Sequence, residues 1–145
     1  AGRAKLYKGA GIVLVDDSYN ANPTSMRAAL ASFVRIDAKR RIVVLGDMAE
    51  LGDFCETAHR DLGQYLAGCP VDTVYWCGEN GCLVEEGLSG GTVGFEWHKS
   101  ADELVRALAR EIRAGDGVLV KASRASHLER VVDALLDTVL KQARD

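Results

Sequence analysis

No apolar run in the sequence approaches the roughly 20 residues needed to cross a bilayer. The start, Ala1-Gly2-Arg3-Ala4-Lys5, has no signal-peptide core. Membrane insertion is therefore not expected, and a cytoplasmic location is. An excess of positive charge is also missing: 18 Lys and Arg stand against 21 Asp and Glu, for a net charge of -3. The two signs are interspersed, so no basic field invites nucleic acid or anionic lipid. None of the four cysteines, Cys55, Cys69, Cys77 and Cys82, has CxxC spacing. They lie in or beside apolar segments, where thiols act as small hydrophobes, and no disulfide is expected. Cys55 and His59, four residues apart, can share a helix face as two metal ligands. No second pair completes such a site, so they read as ordinary helix residues and no metal site is expected. Neither a GxxxxGK[ST] loop nor a GxGxxG fingerprint occurs. Any nucleoside triphosphate held here would need its phosphates cradled by another domain. Internal repeats and low-complexity tracts are absent too, and 87–92 is the one clear flexible loop.

What remains is an ordinary globular composition, 48% apolar and 27% charged over 145 residues. That length suits one domain and buries about 70% of the surface of the unfolded chain. Five β-rich runs, Ile12 to Val15, Ile42 to Leu45, Thr73 to Cys77, Val93 to Trp97 and Val118 to Val120, alternate with helical patterns. Most runs are continuously apolar, as parallel strands covered on both faces should be. Only Val93 to Trp97 alternates, which predicts an edge. Met26, Ala29, Leu30 and Phe33 mark a first helix. Weaker patterns run over 58–66 and 80–88. Ala101, Leu104, Val105, Leu108 and Ile112 form one apolar stripe, and the series from Leu128 through Val139 to Leu140 forms another. The alternation implies a Rossmann-like, doubly wound α/β fold, with a mostly parallel sheet of five to six strands flanked by helices. Residues 1–11, with Gly2, Gly9 and Gly11, read as a linker from upstream domains, and 12–145 as one domain.

Ligands of such sheets bind beyond the carboxyl ends of the strands, where loops and helix N-termini converge. The first such loop carries Asp16-Asp17-Ser18-Tyr19-Asn20-Ala21-Asn22-Pro23. Asn22 suits an N-cap and Pro23 a first helical turn. Those roles leave Asp16, Asp17, Tyr19 and Asn20 unexplained, and two adjacent carboxylates point to a polar ligand or a cation. In the second loop, 46–53, Asp47 and Glu50 can receive a substrate ammonium or help order a cation. They can equally be solvated acids near a helix N-terminus. After the last strand, Lys121-Ala122-Ser123-Arg124 leads into a helix with two cations and a hydroxyl, which suits a carboxylate or a phosphate.

Taken together, Asp16-Asp17-Ser18-Tyr19-Asn20-Ala21-Asn22-Pro23, Leu45-Gly46-Asp47-Met48-Ala49-Glu50-Leu51-Gly52 and Val120-Lys121-Ala122-Ser123-Arg124 resemble the Mur ligase family. The resemblance runs from Gly2-Arg3 onward and includes His59 and Glu129. It implies only the last of three domains, the Rossmann-like one that closes over the active site after a UDP-sugar domain and a central ATPase domain. It places Asp17, Tyr19, Asn20 and Asn22 on the nucleotide side of the cleft. Asp47, Glu50, Lys121, Ser123 and Arg124 fall on the substrate side, with no catalytic residue in this chain. The usual Lys-Gly-Ser-Arg carries Ala122 here, which would be strained if that backbone needs positive φ.

The implied chemistry is ATP- and Mg²⁺-dependent amide formation, with neither ATP nor Mg²⁺ held tightly by this domain alone. The second motif favours the branch that adds D-alanyl-D-alanine to the UDP-N-acetylmuramoyl tripeptide, a step of bacterial peptidoglycan and cell-wall synthesis on which cell shape and division depend. The expected partners are that dipeptide, that tripeptide and the two upstream domains of the same chain. One alternative is a sibling ligase adding another amino acid. The other is a receiver-like phosphoacceptor module, which needs an Asp where Cys77-Gly78-Glu79 stands.

Overall fold

The computed structural model describes residues 4–140. In chain order it runs β1 (Lys5–Gly9), β2 (Ile12–Asp17), α1 (Pro23–Phe33), β3 (Arg40–Gly46), α2 (Cys55–Ala67) and β4 (Thr73–Cys77). Then follow α3 (Gly81–Leu88), β5 (Gly94–His98), α4 (Ala101–Glu111), β6 (Asp116–Lys121) and α5 (Glu129–Leu135). Short 3₁₀ turns occupy Gly52–Phe54 and Arg124–Ser126, and a π-helical turn, Leu136–Leu140, extends α5. Residues 1–3 of the expected linker, the side chain of Val139 and residues 141–145 lie outside the described residues.

The six strands form one sheet in the order β1-β2-β6-β3-β4-β5, parallel except for β1. Alternate side chains of each strand feed two cores. Leu14, Ile42, Val44, Tyr75, Val118 and Val120 pack under α4 and α5, while Val15, Val43, Leu45, Val74, Trp76 and Leu119 pack under α1, α2 and α3. Both faces are thus covered, which is why these strands read as unbroken apolar runs. As its alternation predicts, β5 is an edge. Counting only parallel strands in chain order, the sheet reads 1-5-2-3-4. Receiver domains follow 2-1-3-4-5, so that alternative is set aside.

Residues 5–11 depart from the linker expectation. Lys5–Gly9 forms β1, antiparallel to β2 from Lys5↔Asp16 to Gly9↔Ile12. Ala10 and Gly11 close this hairpin at φ 55 and 76, the two-residue turn in which both central residues have positive φ. Glycine takes that conformation freely; Ala10 does so against about 1 kcal/mol. On the far side of the sheet, α2 and α3 touch backbone to backbone. A Cβ on Gly63 would meet the Val84 carbonyl, and one on Gly87 the Arg60 carbonyl.

The topology places the crevice. Chain leaving β2 and β3 enters helices on one face, while chain leaving the intervening β6 goes to the other. The three loops beyond β2, β3 and β6 therefore splay apart around one opening, the usual ligand position in a doubly wound sheet. At the opposite end of β6, Asp116 takes a two-point bond from Arg40, Nε to Oδ1 at 2.9 Å and Nη2 to Oδ2 at 2.7 Å. That hydrogen bond holds the guanidinium above its ordinary pKa.

Candidate functional site

The loop after β2 is shaped by its own side chains. Asp16 Oδ1 accepts from the Ser18 amide at 3.1 Å and from the Ser18 hydroxyl at 2.6 Å, a local turn that competes well with other backbone pairing. Asp17, next along the strand, points to the opposite face. Its Oδ2 lies 2.9 Å from Lys121 Nζ, which also donates to the Asn20 carbonyl at 2.8 Å. The adjacent carboxylates thus have separate protein partners. Asn22 caps α1 as expected: its side chain accepts from Ser25 N at 2.8 Å, and Ser25 Oγ accepts from Asn22 N at 3.1 Å. Pro23 follows in the first turn.

The loop after β3 is held from outside itself. Asp47 accepts from Trp76 Nε1 at 3.2 Å, Glu79 N at 2.9 Å and Asn80 N at 3.1 Å. Three of its roughly four acceptor positions are filled by these bonds, which brace the loop. Gly78 leaves the space this requires, since a Cβ there would collide with the Asp47 carboxylate. Glu50 is exposed, at φ 60, a left-handed conformation it shares with Ala10 and His127. His59, fully buried in α2, reaches back to this loop. Its Nε2 accepts from Met48 N at 3.0 Å, and its Nδ1 lies 2.7 Å from the Cys55 carbonyl. Spacing alone reads Cys55 and His59 as ordinary helix residues. His59 is instead a loop anchor, with the Cys55 Sγ 3.6 Å from its Nδ1, and only the three-dimensional return of the loop reveals it.

Beyond β6, Ala122 is fully buried and is not among the positive-φ residues, so replacing the usual glycine strains nothing. Its Cβ occupies the space facing Gly46, where a second Cβ would come within 3.0 Å. Ser123 is buried. Arg124 does not lead directly into a helix, as its sequence position suggested. It opens the 3₁₀ turn that His127 closes at φ 54, and α5 begins only at Glu129. Its guanidinium lies over the half-exposed Tyr19 ring, 5.0 Å from the centroid, within cation–π range. Among the described residues no carboxylate pairs with Arg124, and Glu129 approaches His127 instead, at 3.4 Å.

Two openings flank the Ser123–Ala125 ridge. One, of about 470 Å³, brings together Tyr19, Asn20, Asn22, Glu50, Ser123 and Arg124. Residues expected on separate nucleotide and substrate sides therefore share one cleft. The other, of about 460 Å³, is bordered by Asp47, Glu79, Lys99, Ser123, His127 and Arg130. Asp17 and Lys121 do not line the first cleft; joined to each other, they border a separate hollow of about 440 Å³ with Val15, Ser25 and Leu119. Beside this region burial pushes the Cys77 thiol up, with Asp47 adding to the effect.

Residues 2–124 match the family described as Mur ligase, glutamate ligase domain. The UDP-N-acetylmuramoyl-tripeptide–D-alanyl-D-alanine ligase of Bacillus subtilis is 34% identical over 136 residues, covering 90% of this chain and 29% of that protein. Its counterpart in Mycobacterium tuberculosis (strain CDC 1551 / Oshkosh) is 36% identical over 150 residues, covering 89% and 29%. Among solved structures, MurF from Acinetobacter baumannii superposes with a TM-score of 0.84 at 30% identity, over 94% of this chain and 31% of that one. The MurF ligase from Thermotoga maritima in complex with ADP gives 0.79 at 30% identity, over 98% and 32%. The chain thus spans about three tenths of the length of these relatives. With the family match covering most of the sequence and its three motif-bearing loops meeting at one crevice, the chain belongs to the Mur ligase, glutamate ligase domain family.

Proposed function

We propose that this chain is the C-terminal, substrate-binding and cleft-closing domain of a cytoplasmic ATP-dependent ligase that adds D-alanyl-D-alanine to the UDP-N-acetylmuramoyl tripeptide of peptidoglycan. The observation that carries the reading is the convergence of the three motif loops on the cleft between Tyr19, Glu50 and Arg124. It is supported by the relatives that bear this activity in their names.

The reaction transfers the γ-phosphoryl group of ATP to the tripeptide carboxylate, and the dipeptide amine then attacks the resulting acyl phosphate to give the amide and phosphate. The side chains here suit part of that task. The exposed Tyr19 face and the Asn20 amide fit the base and ribose of a nucleotide. Nothing in the first loop fits a triphosphate, which falls to the central domain. Mg²⁺ in this reading accompanies the ATP phosphates held by the central domain. Arg124 offers a two-donor fork to the dipeptide carboxylate, and Glu50 an acceptor to its ammonium. Swinging over the central domain, the cleft brings the amine to the acyl group and keeps water from it.

The test uses the full-length protein that carries this domain. Phosphate release should require ATP, the UDP-tripeptide and D-alanyl-D-alanine together. Release supported equally by a single amino acid in place of the dipeptide would move the chain to a sibling ligase.

A further inference from the structure

We infer that His59 is a positioning residue, which holds the Gly46–Gly52 loop in its cleft-forming shape through a neutral imidazole with the proton on Nδ1. The inference rests on the ligase reading for its kinetic consequence, but not for its structural one.

The tautomer follows from the partners. Met48 N–H can only donate, so Nε2, 3.0 Å away, must be the bare nitrogen. Nδ1 then carries the proton and donates to the Cys55 carbonyl at 2.7 Å. The ring is fully buried and stands edge-on to Trp76, with centroids 5.8 Å apart and planes at 82°. Trp76 is itself fully buried, and its Nε1 donates to Asp47 Oδ1 at 3.2 Å. Two packed rings from α2 and β4 therefore grip consecutive residues of the loop, Trp76 by the Asp47 carboxylate and His59 by the Met48 amide. Two residues further on, Glu50 takes its left-handed turn into the cleft opposite Arg124. Without the Met48 bond a buried amide loses its acceptor, and the polar ties of the segment presenting Glu50 reduce to those of Asp47, beside the apolar packing of Met48 and Leu51.

Glutamine and asparagine separate the two nitrogens. In His59→Gln a side-chain oxygen can reach the Nε2 position and accept from Met48. In His59→Asn the amide reaches only the Nδ1 position, so the helix contact survives and the loop contact does not. In the full-length enzyme, amide exchange at Met48 should accelerate at least tenfold in the Asn variant and stay near wild type in the Gln variant. The Michaelis constant for D-alanyl-D-alanine should rise five- to tenfold in the Asn variant only, with kcat and the ATP constant within about twofold of wild type. A third variant, Trp76→Phe, keeps the ring packing but releases Asp47, and should raise the same constant with His59 intact. Equal Met48 exchange in the wild type and both His59 variants would overturn the inference. So would accelerated exchange with an unchanged dipeptide constant. A wild-type enzyme that ignores the dipeptide would instead refute the ligase reading, while the exchange data would still decide the role of His59.

Discussion

At its first residue β6 joins Asp116 to Arg40 of β3, and at its last it joins Lys121 to Asp17 of β2. Both are register partners on neighbouring strands, and both contain one almost fully buried charge, Asp116 at 1% and Lys121 at 3% side-chain exposure. Their surroundings differ. Asp116 is enclosed by donors that belong to the fold: the Arg40 fork, whose Nη2 also bonds the Glu111 carbonyl, and the Arg113 amide. Lys121 instead spends one donor on the Asn20 carbonyl, in the loop that walls the cleft. The pair at the amino end of the strands closes the sheet, and the pair at the carboxyl end holds the loop after β2. An ion pair in a strand end is thus no sign of function by itself; what decides is whether its remaining bonds go to framework or to ligand-facing loop.

The largest effect should come from breaking the framework pair. Arg40→Ala leaves a buried carboxylate with one backbone donor and should destabilise the domain by about 3–5 kcal/mol, read from urea denaturation, with substrate constants unchanged in the fraction that stays folded. Lys121→Met keeps the volume but leaves Asp17, which is 15% exposed, to find water. The loss should be smaller, about 2–3 kcal/mol, and should come with a raised Michaelis constant for ATP, because the Asn20 carbonyl is released. A stability loss with no kinetic change would erase the contrast between the two ends.

Between the ends, Tyr75 offers a smaller and pH-dependent effect. Burial, reinforced by Glu96 and Glu111, pushes its phenol up to about 12. The folded state therefore favours the protonated form. That contribution is present in full below the ordinary value of 10 and is lost as the pH rises through about 12. Unfolding free energy should fall by up to about 2 kcal/mol over that window relative to Tyr75→Phe, which cannot ionise. Parallel curves for the two proteins would place the phenol in contact with water.

Strand interiors were legible in the sequence because burial on both faces writes itself as apolar runs: Thr73–Cys77 is read to the residue. Strand ends were not, since Asp16, Asp17, Arg40, Arg41, Asp116 and Lys121 look like loop. Arg40, Asp116, Asp17 and Lys121 stay in the sheet because cross-strand partners, distant in sequence, neutralise them, whereas Asp16 bonds the nearby Ser18 and the Arg41 guanidinium the Ile36 carbonyl. β1 escaped because its turn is Ala10-Gly11 rather than Asn-Gly, and because Lys5, Leu6 and Lys8 are exposed, so that no buried apolar run marks the strand. At the site, Asn22 was legible as a cap because capping is local. The commitments of Asp47 to Trp76, Glu79 and Asn80, and of His59 to Met48, depend on how β4, α2 and α3 are arranged. No spacing encodes them. The three motifs could be recognised, but which of their side chains face the cleft and which brace it appears only in the fold.

The central claim is that the cleft under Arg124 receives the anionic end of the incoming dipeptide. It is tested most directly by the dipeptide Michaelis constant of the full-length enzyme with Arg124 intact, with Arg124→Lys and with Arg124→Ala. Lysine keeps the charge and loses the planar fork, so it should weaken dipeptide use; alanine should weaken it further, by about 2–4 kcal/mol in kcat/KM, with the ATP constant nearly unchanged. Unchanged dipeptide kinetics in both variants, with stability lowered through the lost stacking on Tyr19, would contradict the account and leave Arg124 a structural side chain.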